Sequence, residues 1–448
     1  MKGIYIIFIG AVLALSGCSL DIRLEDQFSD PYAITDTETA RELLASAYNS
    51  LPRYQMELSV LSDDFYPTSL SQKYADLLNL YNWQDKAIND FSANVWNEYY
   101  MTVAIVNALL PRLELLQPKE EADIIEKDRI RSEAYALKAL CYFDLVRLYG
   151  PIVLKDRLEF ETLPRSSVED CIAEIDRLLD EAEKVTDNDS EVFYMSSDAV
   201  RALRVEFELH RGDYETVAAL AENLLEGAES RWTKSSFENL WSSNDSEDRI
   251  FAPYIFDSFY TDLCYDRSSG DYFILNDAVS YDDFDLRKGW SEYEFIMSSG
   301  SVRALGKYNR MYYENTSVRY INTLRYSGVC FAAAEAYARD EKPLLAVAMI
   351  NRLLEAYGAD LMDESLEGDA LIEAILMEKQ KEFVGEGVRY FDLKRLGKPL
   401  QRHKNLGAGV SATIKPDDYR WLFPIPESEY KYNDLMDQNP EWPMIKTE

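Results

Sequence analysis

The sequence predicts a mainly α-helical protein in which helical hairpins form a scaffold packed against a loop-rich region with a few short strands. Three observations carry this. On both sides of the chain's centre, apolar residues recur at helical spacing in long stretches that end at Gly and Pro. Between Glu229 and Ser317 that pattern dissolves into aromatic, glycine and acidic residues, with short β-like pieces such as Ile250 to Phe256. Near the end, Phe423-Pro424-Ile425-Pro426 cannot be a regular helix, because proline lacks the N–H and restricts the residue before it. This last segment is expected as an extended strip lying across helices already formed.

The chain opens with an export signal over residues 1–17. Lys2 gives a positive start, and Ile4 to Leu15 give an apolar run too short to span a bilayer comfortably. Leu15-Ser16-Gly17-Cys18 then resembles the bacterial lipoprotein box, which implies cleavage before Cys18 and lipidation of that cysteine. More than one acyl chain is what stable anchoring needs. Residues 18–35 lack periodicity and read as a tether into a single folded domain over 36–448.

Composition narrows the partners. The formal charge is -33, and loss of Lys2 with the signal makes the mature chain one unit more negative. Nucleic acid is excluded by this balance, since neutralising phosphates takes clustered lysine and arginine. The 31 tyrosines outnumber the 7 tryptophans and 19 phenylalanines together, and tyrosine can pack and hydrogen-bond at once. Cys141, Cys171, Cys264 and Cys330 are widely spaced, with no Cys-x-x-Cys, and read as small buried hydrophobes.

Helical repeats are expected over 36–228 and 318–400. Asp36, Thr37 and Glu38 open a helix through Leu51, stopped by Pro52. Residues 53–90 break the pattern and read as a long excursion containing Asp63, Asp64, Tyr66, Tyr81 and Trp83. Periodicity returns from Phe91 to Leu116. Asp123 to Tyr149 is apolar nearly all round, so it should be central, and Gly150-Pro151 ends it. Val168 to Ala182 forms another helix. Ser196 to His210 pairs with Tyr214 to Glu226 across Gly212-Asp213, an arrangement that resembles a tetratricopeptide repeat. Leu324 to Arg339 followed by Pro343 to Tyr357 reads as a second such pair.

Met377 to Pro399 forms a corner between two helices, with Gly385 and Gly387 supplying the backbone freedom of a sharp stop. Glu382, Glu386, Arg389, Asp392 and Arg395 gather there among Tyr390, Phe391 and Leu393. Acids and arginines interleaved with aromatics predict an internal ion-pair clasp joining the helices to the C-terminal strip of 401–448.

The insertion of 229–317 is crowded with aromatic rings, most of which must pack its own loops. Rings left exposed in a concave site suit a sugar, whose C–H face sits on the ring while Asn, Asp and Arg bond hydroxyls. Catalysis has little material. His210 and His403 are the only histidines, and no P-loop, dinucleotide fingerprint or Gly-x-Ser-x-Gly occurs. No metal or cofactor is expected.

Four stretches together resemble the SusD/RagB family of outer-membrane nutrient-binding lipoproteins. They are the box at Cys18; Arg131-Ser-Glu-Ala-Tyr through Tyr142-Phe-Asp-Leu-Val-Arg-Leu-Tyr-Gly150; Glu382-Phe-Val-Gly-Glu-Gly-Val-Arg-Tyr-Phe-Asp-Leu-Lys-Arg395; and Leu422-Phe-Pro-Ile-Pro426 with Gln438-Asn-Pro440. The resemblance implies a tetratricopeptide-like scaffold with a variable, loop-rich ligand region. It also implies a cell-surface lipoprotein that captures oligosaccharides and passes them to a SusC-like TonB-dependent transporter. Family position, rather than motif, then points to Tyr81, Asn82, Trp83 and Gln84, and to Tyr265, Tyr272 and Trp290, as ligand residues. A SusD-like binder of peptides or other nutrients, a surface glycosidase built on acid pairs, and a helical-repeat adaptor are the alternative readings.

Overall fold

The computed structural model describes residues 34–67, 74–158, 161–242, 245–254, 273–297, 300–307, 320–402, 413–431 and 433–444. Cys18, and with it the lipidation expected there, lies outside the described residues, as do Tyr265, Tyr272, Cys264 and His403.

Helices dominate. The first, α1 (Thr37–Asn49), starts on a capping box in which Asp36 accepts from the Thr39 N–H and Thr39 reaches back to the Asp36 N–H. The expected excursion of 53–90 is instead mostly regular: α2 (Gln55–Leu61), strand β1 (Phe65–Pro67) and α3 (Tyr74–Tyr81) precede α4 (Asp85–Leu115). Helices this short carry too few turns for periodicity to stand out, and α2 is held by tertiary packing on the corner helix rather than by its own propensity.

The remaining elements run α5 (Glu121–Tyr149), α6 (Val168–Ala182), α7 (Ser197–Arg211), α8 (Tyr214–Leu224) and α9 (Lys234–Ser242), with β2 (Arg249–Phe251) and β3 (Phe273–Leu275) following. Next come α10 (Lys288–Ser291), β4 (Glu292–Met297), β5 (Gly300–Leu305), β6 (Leu324–Arg325), α11 (Tyr326–Arg339), α12 (Pro343–Tyr357), α13 (Gly368–Phe383) and α14 (Val388–Arg395). The chain closes with β7 (Leu400–Gln401), β8 (Thr413–Ile414) and α15 (Glu427–Lys431).

Antiparallel neighbours follow the expected hairpins. Gly212, at φ 80°, ends α7 in the left-handed region, and Asp213 caps α8 through the Thr216 N–H. Helix α11 packs on α12, α8, α7 and α13, and α5 packs on α4, α6, α1 and α7. Along α5, residues 136–146 are buried without a break, so this helix is the axis of the N-terminal half. Cys141, Cys171 and Cys330 are buried free thiols.

The insertion contributes three strands to an antiparallel sheet in the order β1-β3-β5-β4, so the strand from the N-terminal excursion pairs with β3, which in turn pairs with the β4–β5 hairpin. A two-stranded ladder of β2 with β6 ties the base of the insertion to the start of α11. One main hydrophobic cluster runs from Ile34 to Trp442 and includes residues of both the scaffold and the insertion. The C-terminal strip crosses the helices as expected: the Phe423 N–H donates to Leu148 O at 3.0 Å, and Tyr390 Oη donates to Trp421 O at 3.2 Å.

Candidate functional site

In the turn between α3 and α4, where ligand residues are expected, the rings are sealed in the core. Trp83 has no exposed surface and donates Nε1–H to Leu61 O at 2.9 Å. Its ring lies 4.7 Å from that of Trp421 and 6.3 Å from that of Tyr390. The residue sits at φ 54°, a left-handed conformation that a bulky side chain adopts only when its surroundings fix it, and Arg420 donates to its carbonyl at 2.6 Å. Tyr81 is buried beneath the Arg402 guanidinium, 4.2 Å from its ring centre. Asn82 is half-buried, with Oδ1 lacking a hydrogen-bond partner among the described residues, while Gln84 is exposed at the start of α4.

Trp290 is buried as well, donating Nε1–H to Glu238 at 3.0 Å. The expectation that Trp83, Tyr81 and Trp290 offer faces to a sugar therefore fails on burial. The polar neighbours Asn82 and Gln84 made the turn look like an open loop, but the C-terminal strip covers it.

The corner between α13 and α14 is densely paired, though mostly outward rather than within itself. Inside the stretch, Asp392 pairs with Lys379 at 2.9 Å and Arg395 at 3.2 Å. The other charges reach distant elements. Arg389 donates to Asp63 at 2.8 Å, Arg395 to Glu335 at 2.7 Å, and Glu382 and Glu386 take Arg325 at 2.8 and 3.0 Å. Lys307, fully buried, adds a contact to Glu386 at 2.7 Å. Arg325 also holds Asp248 at 2.9 Å, so the base of the insertion, α11 and the corner share one buried network.

Beside this network opens a two-lobed cleft. Its outer lobe, about 40 Å³, is lined by Tyr48, Tyr54, Tyr99, Phe251 and Tyr254 among others, and lies where residues 251–254 of the insertion meet residues 321–323. The inner lobe, about 130 Å³, runs between α2, α5, α7, α11 and the corner. Both lobes share Tyr54, Gln55, Leu140, Asp144 and Thr323. Asp144 is the hinge of the polar arrangement, accepting from Tyr54 Oη at 2.7 Å and Tyr99 Oη at 2.5 Å while pairing with Arg147. The Arg147 guanidinium is layered between Phe143 at 4.1 Å and Phe391 at 3.8 Å.

Electrostatics inside the inner lobe follow from burial. His210 is pushed down to about 3 by burial and then by Arg147, so its imidazole is neutral and can both donate and accept. Glu206, with its side chain 41% exposed, faces Arg147 at 3.9 Å. Tyr48, Tyr54, Tyr99 and Phe251 are buried and Tyr254 is the exposed ring of the cleft, which the His210 imidazole and the Gln55 amide line with polar groups. Among the described residues, no cluster of His, Cys, Asp and Glu is arranged to hold a metal ion.

Sequence reasoning missed these residues because they come from seven separate stretches of the chain with no local motif. One signal was available: Asp144 and Arg147 interrupt the otherwise apolar turns of α5, and a buried charge on a central helix needs a partner.

Paired helices, a loop-rich insertion above them and a proline-rich closing strip define a distinct architectural class of helical-repeat proteins. Residues 212–442 match the family described as the SusD family, and residues 23–208 match one described as starch-binding, associating with outer membrane. The chain belongs to the SusD/RagB family. A SusD-like protein of Formosa agariphila is 22% identical over 460 residues, which cover 86% of this chain and 90% of the relative. Two solved structures share the fold. A SusD superfamily protein from Bacteroides vulgatus superposes with a TM-score of 0.79 at 20% identity, covering 92% of this chain and 100% of that one. Surface glycan-binding protein A from Bacteroides fluxus gives 0.70 at 19% identity, covering 90% and 99%. Among the described residues, no helix is long and apolar enough to cross a membrane.

Proposed function

We propose that this protein is a non-enzymatic, lipid-anchored outer-membrane binding protein that captures an oligosaccharide at the cell surface and delivers it to a SusC-like TonB-dependent transporter. The observation that carries the reading is a cleft at the base of the insertion, with Tyr254 as its exposed ring and Tyr48, Tyr54, Tyr99 and Phe251 buried beside it, in a chain of this family. Tyr254, 39% exposed on the outer lobe, is the ring placed to meet a sugar face. Cys18 is the expected site of lipidation, and the short apolar run before it supports export rather than spanning. Incubation with a panel of polysaccharides tests the reading: retention without new reducing ends supports a binding protein, and release of reducing ends indicates a glycosidase. Co-purification of a barrel transporter with the membrane-anchored chain tests the delivery step, and loss of anchoring in Cys18→Ala tests the lipid.

A further inference from the structure

The turn between α4 and α5 carries an apolar patch that the core does not use. Leu115, at the end of α4, is 78% exposed, and Ile124 and Ile125, near the start of α5, are 45% and 46% exposed. The turn is pinned in place: Lys127 Nζ donates to Leu116 O at 2.9 Å, and Arg131 pairs with Glu114 at 3.4 Å. These contacts hold the last turn of α4 against the first turns of α5, so the three side chains share one outward end of the helix pair. Exposed apolar residues grouped and rimmed by charge in this way mark a surface that meets a partner.

Where the chain enters the domain names the partner. Thr37, the first residue of α1, donates Oγ1–H to Asp123 Oδ1 at 3.1 Å, so α1 begins beside the turn. Ile34 follows Cys18, the expected lipidation site, by sixteen residues, and an extended chain spans at most about 3.5 Å per residue, or roughly 55 Å in all. The bilayer that holds the anchor therefore lies within reach of the patch. Between Arg112 and Arg131, five basic side chains stand against six acidic ones. That balance offers no basic cluster to select anionic lipid, so a zwitterionic surface fits.

The far ends of the same helices carry the cleft. Tyr48 on α1, Tyr99 on α4 and Leu140 on α5 line its outer lobe. With a rise of about 1.5 Å per residue, they lie about 17 to 24 Å along the helix axes from Thr37, Leu115 and Ile125. Resting on the proposed lipid anchor at Cys18, we propose that the turn between α4 and α5 is a membrane-contact site. Leu115, Ile124 and Ile125 seat in the interface of a zwitterionic bilayer and hold the cleft facing away from it. The contact sets orientation rather than affinity, since more than one acyl chain already secures the anchor.

All seven tryptophans are buried, so one added at the surface reports lipid contact above a shielded background. The test reconstitutes the mature lipidated chain in phosphatidylcholine vesicles with brominated acyl chains, comparing Ile125→Trp with Tyr254→Trp. The emission added by Ile125→Trp should fall at least twofold relative to vesicles without bromine, while that added by Tyr254→Trp stays unchanged. Leu115→Glu combined with Ile124→Glu should restore the Ile125→Trp emission at an unchanged melting temperature. Equal Ile125→Trp emission with and without bromine, in protein that floats with the vesicles, overturns the contact and leaves the anchor standing. Protein that does not float overturns both. Quenching of Tyr254→Trp as strong as that of Ile125→Trp overturns the orientation. Ile125→Trp emission that changes only when a barrel transporter is added assigns the patch to a protein partner and likewise overturns the inference.

Discussion

Arg389, on the helix after the glycine corner, donates Nε–H to Asp63 Oδ1 at 2.8 Å across 326 residues of chain. Asp63 is 6% exposed and sits beside fully buried Asp64, so the guanidinium balances two adjacent carboxyl groups. Arg389→Ala removes the cation and leaves Asp63 buried and unpaired. The expected cost is about 3–5 kcal/mol, the usual penalty for breaking one side of a buried pair. Urea denaturation of parent and variant reads it, and a loss under about 1 kcal/mol would show that water reaches the site freely.

Asp64 gives the same region a pH dependence. Burial first, and the charge of Asp63 second, push its carboxyl up to about 7, while the Gly385 N–H and Gln380 amide oppose the shift. Between the ordinary value of 3.8 and about 7 the folded state holds a proton that the unfolded chain has released. Stability from this group therefore falls as pH rises through that window, by at most about 1.4 kcal/mol per pH unit, and levels off above it. Asp64→Asn should flatten this part of the stability profile; an unchanged slope would assign the proton elsewhere.

Trp83 is a core residue. Its ring fills the space between Tyr390 and Trp421, and its indole N–H is bonded. Trp83→Ala is expected to destabilise by about 3–5 kcal/mol through cavity formation. Any effect on glycan affinity should vanish when the folded fraction is taken into account. A variant with the parent's melting temperature and lost glycan binding would return Trp83 to the ligand site.

Gly387 holds φ 77°, and a Cβ built on it would stand 3.1 Å from the Gln55 backbone Cα. Gly387→Ala combines the left-handed penalty of about 1–2 kcal/mol with a contact that backbone must yield to relieve. The expected result is a lower melting temperature together with weaker ligand binding, because Gln55 lies on the cleft.

The scaffold was legible because its helices are long and their stops are chemical. Val168–Ala182 and Pro343–Tyr357 have the boundaries that apolar spacing and flanking residues dictate. Residues 53–90 were less so. A seven-residue helix such as α2 shows barely two turns of pattern, and β1 acquires its partner β3 from beyond residue 270. The aromatic turn at Tyr81 to Gln84 misled for a tertiary reason: Arg402, Arg420 and Trp421 close over it from the far end of the chain. The cleft was hidden for the same reason in reverse, since Gln55, Asp144, Glu206, Tyr254 and Thr323 meet only after folding.

Affinity electrophoresis of the mature chain through polysaccharide gels, with Tyr254→Ala run alongside, tests whether the cleft at the base of the insertion binds glycan. Retardation by at least one polysaccharide is expected, with loss of that retardation in Tyr254→Ala at an unchanged melting temperature. Retardation that persists in full in the variant, or none for the parent on any polysaccharide, would contradict it.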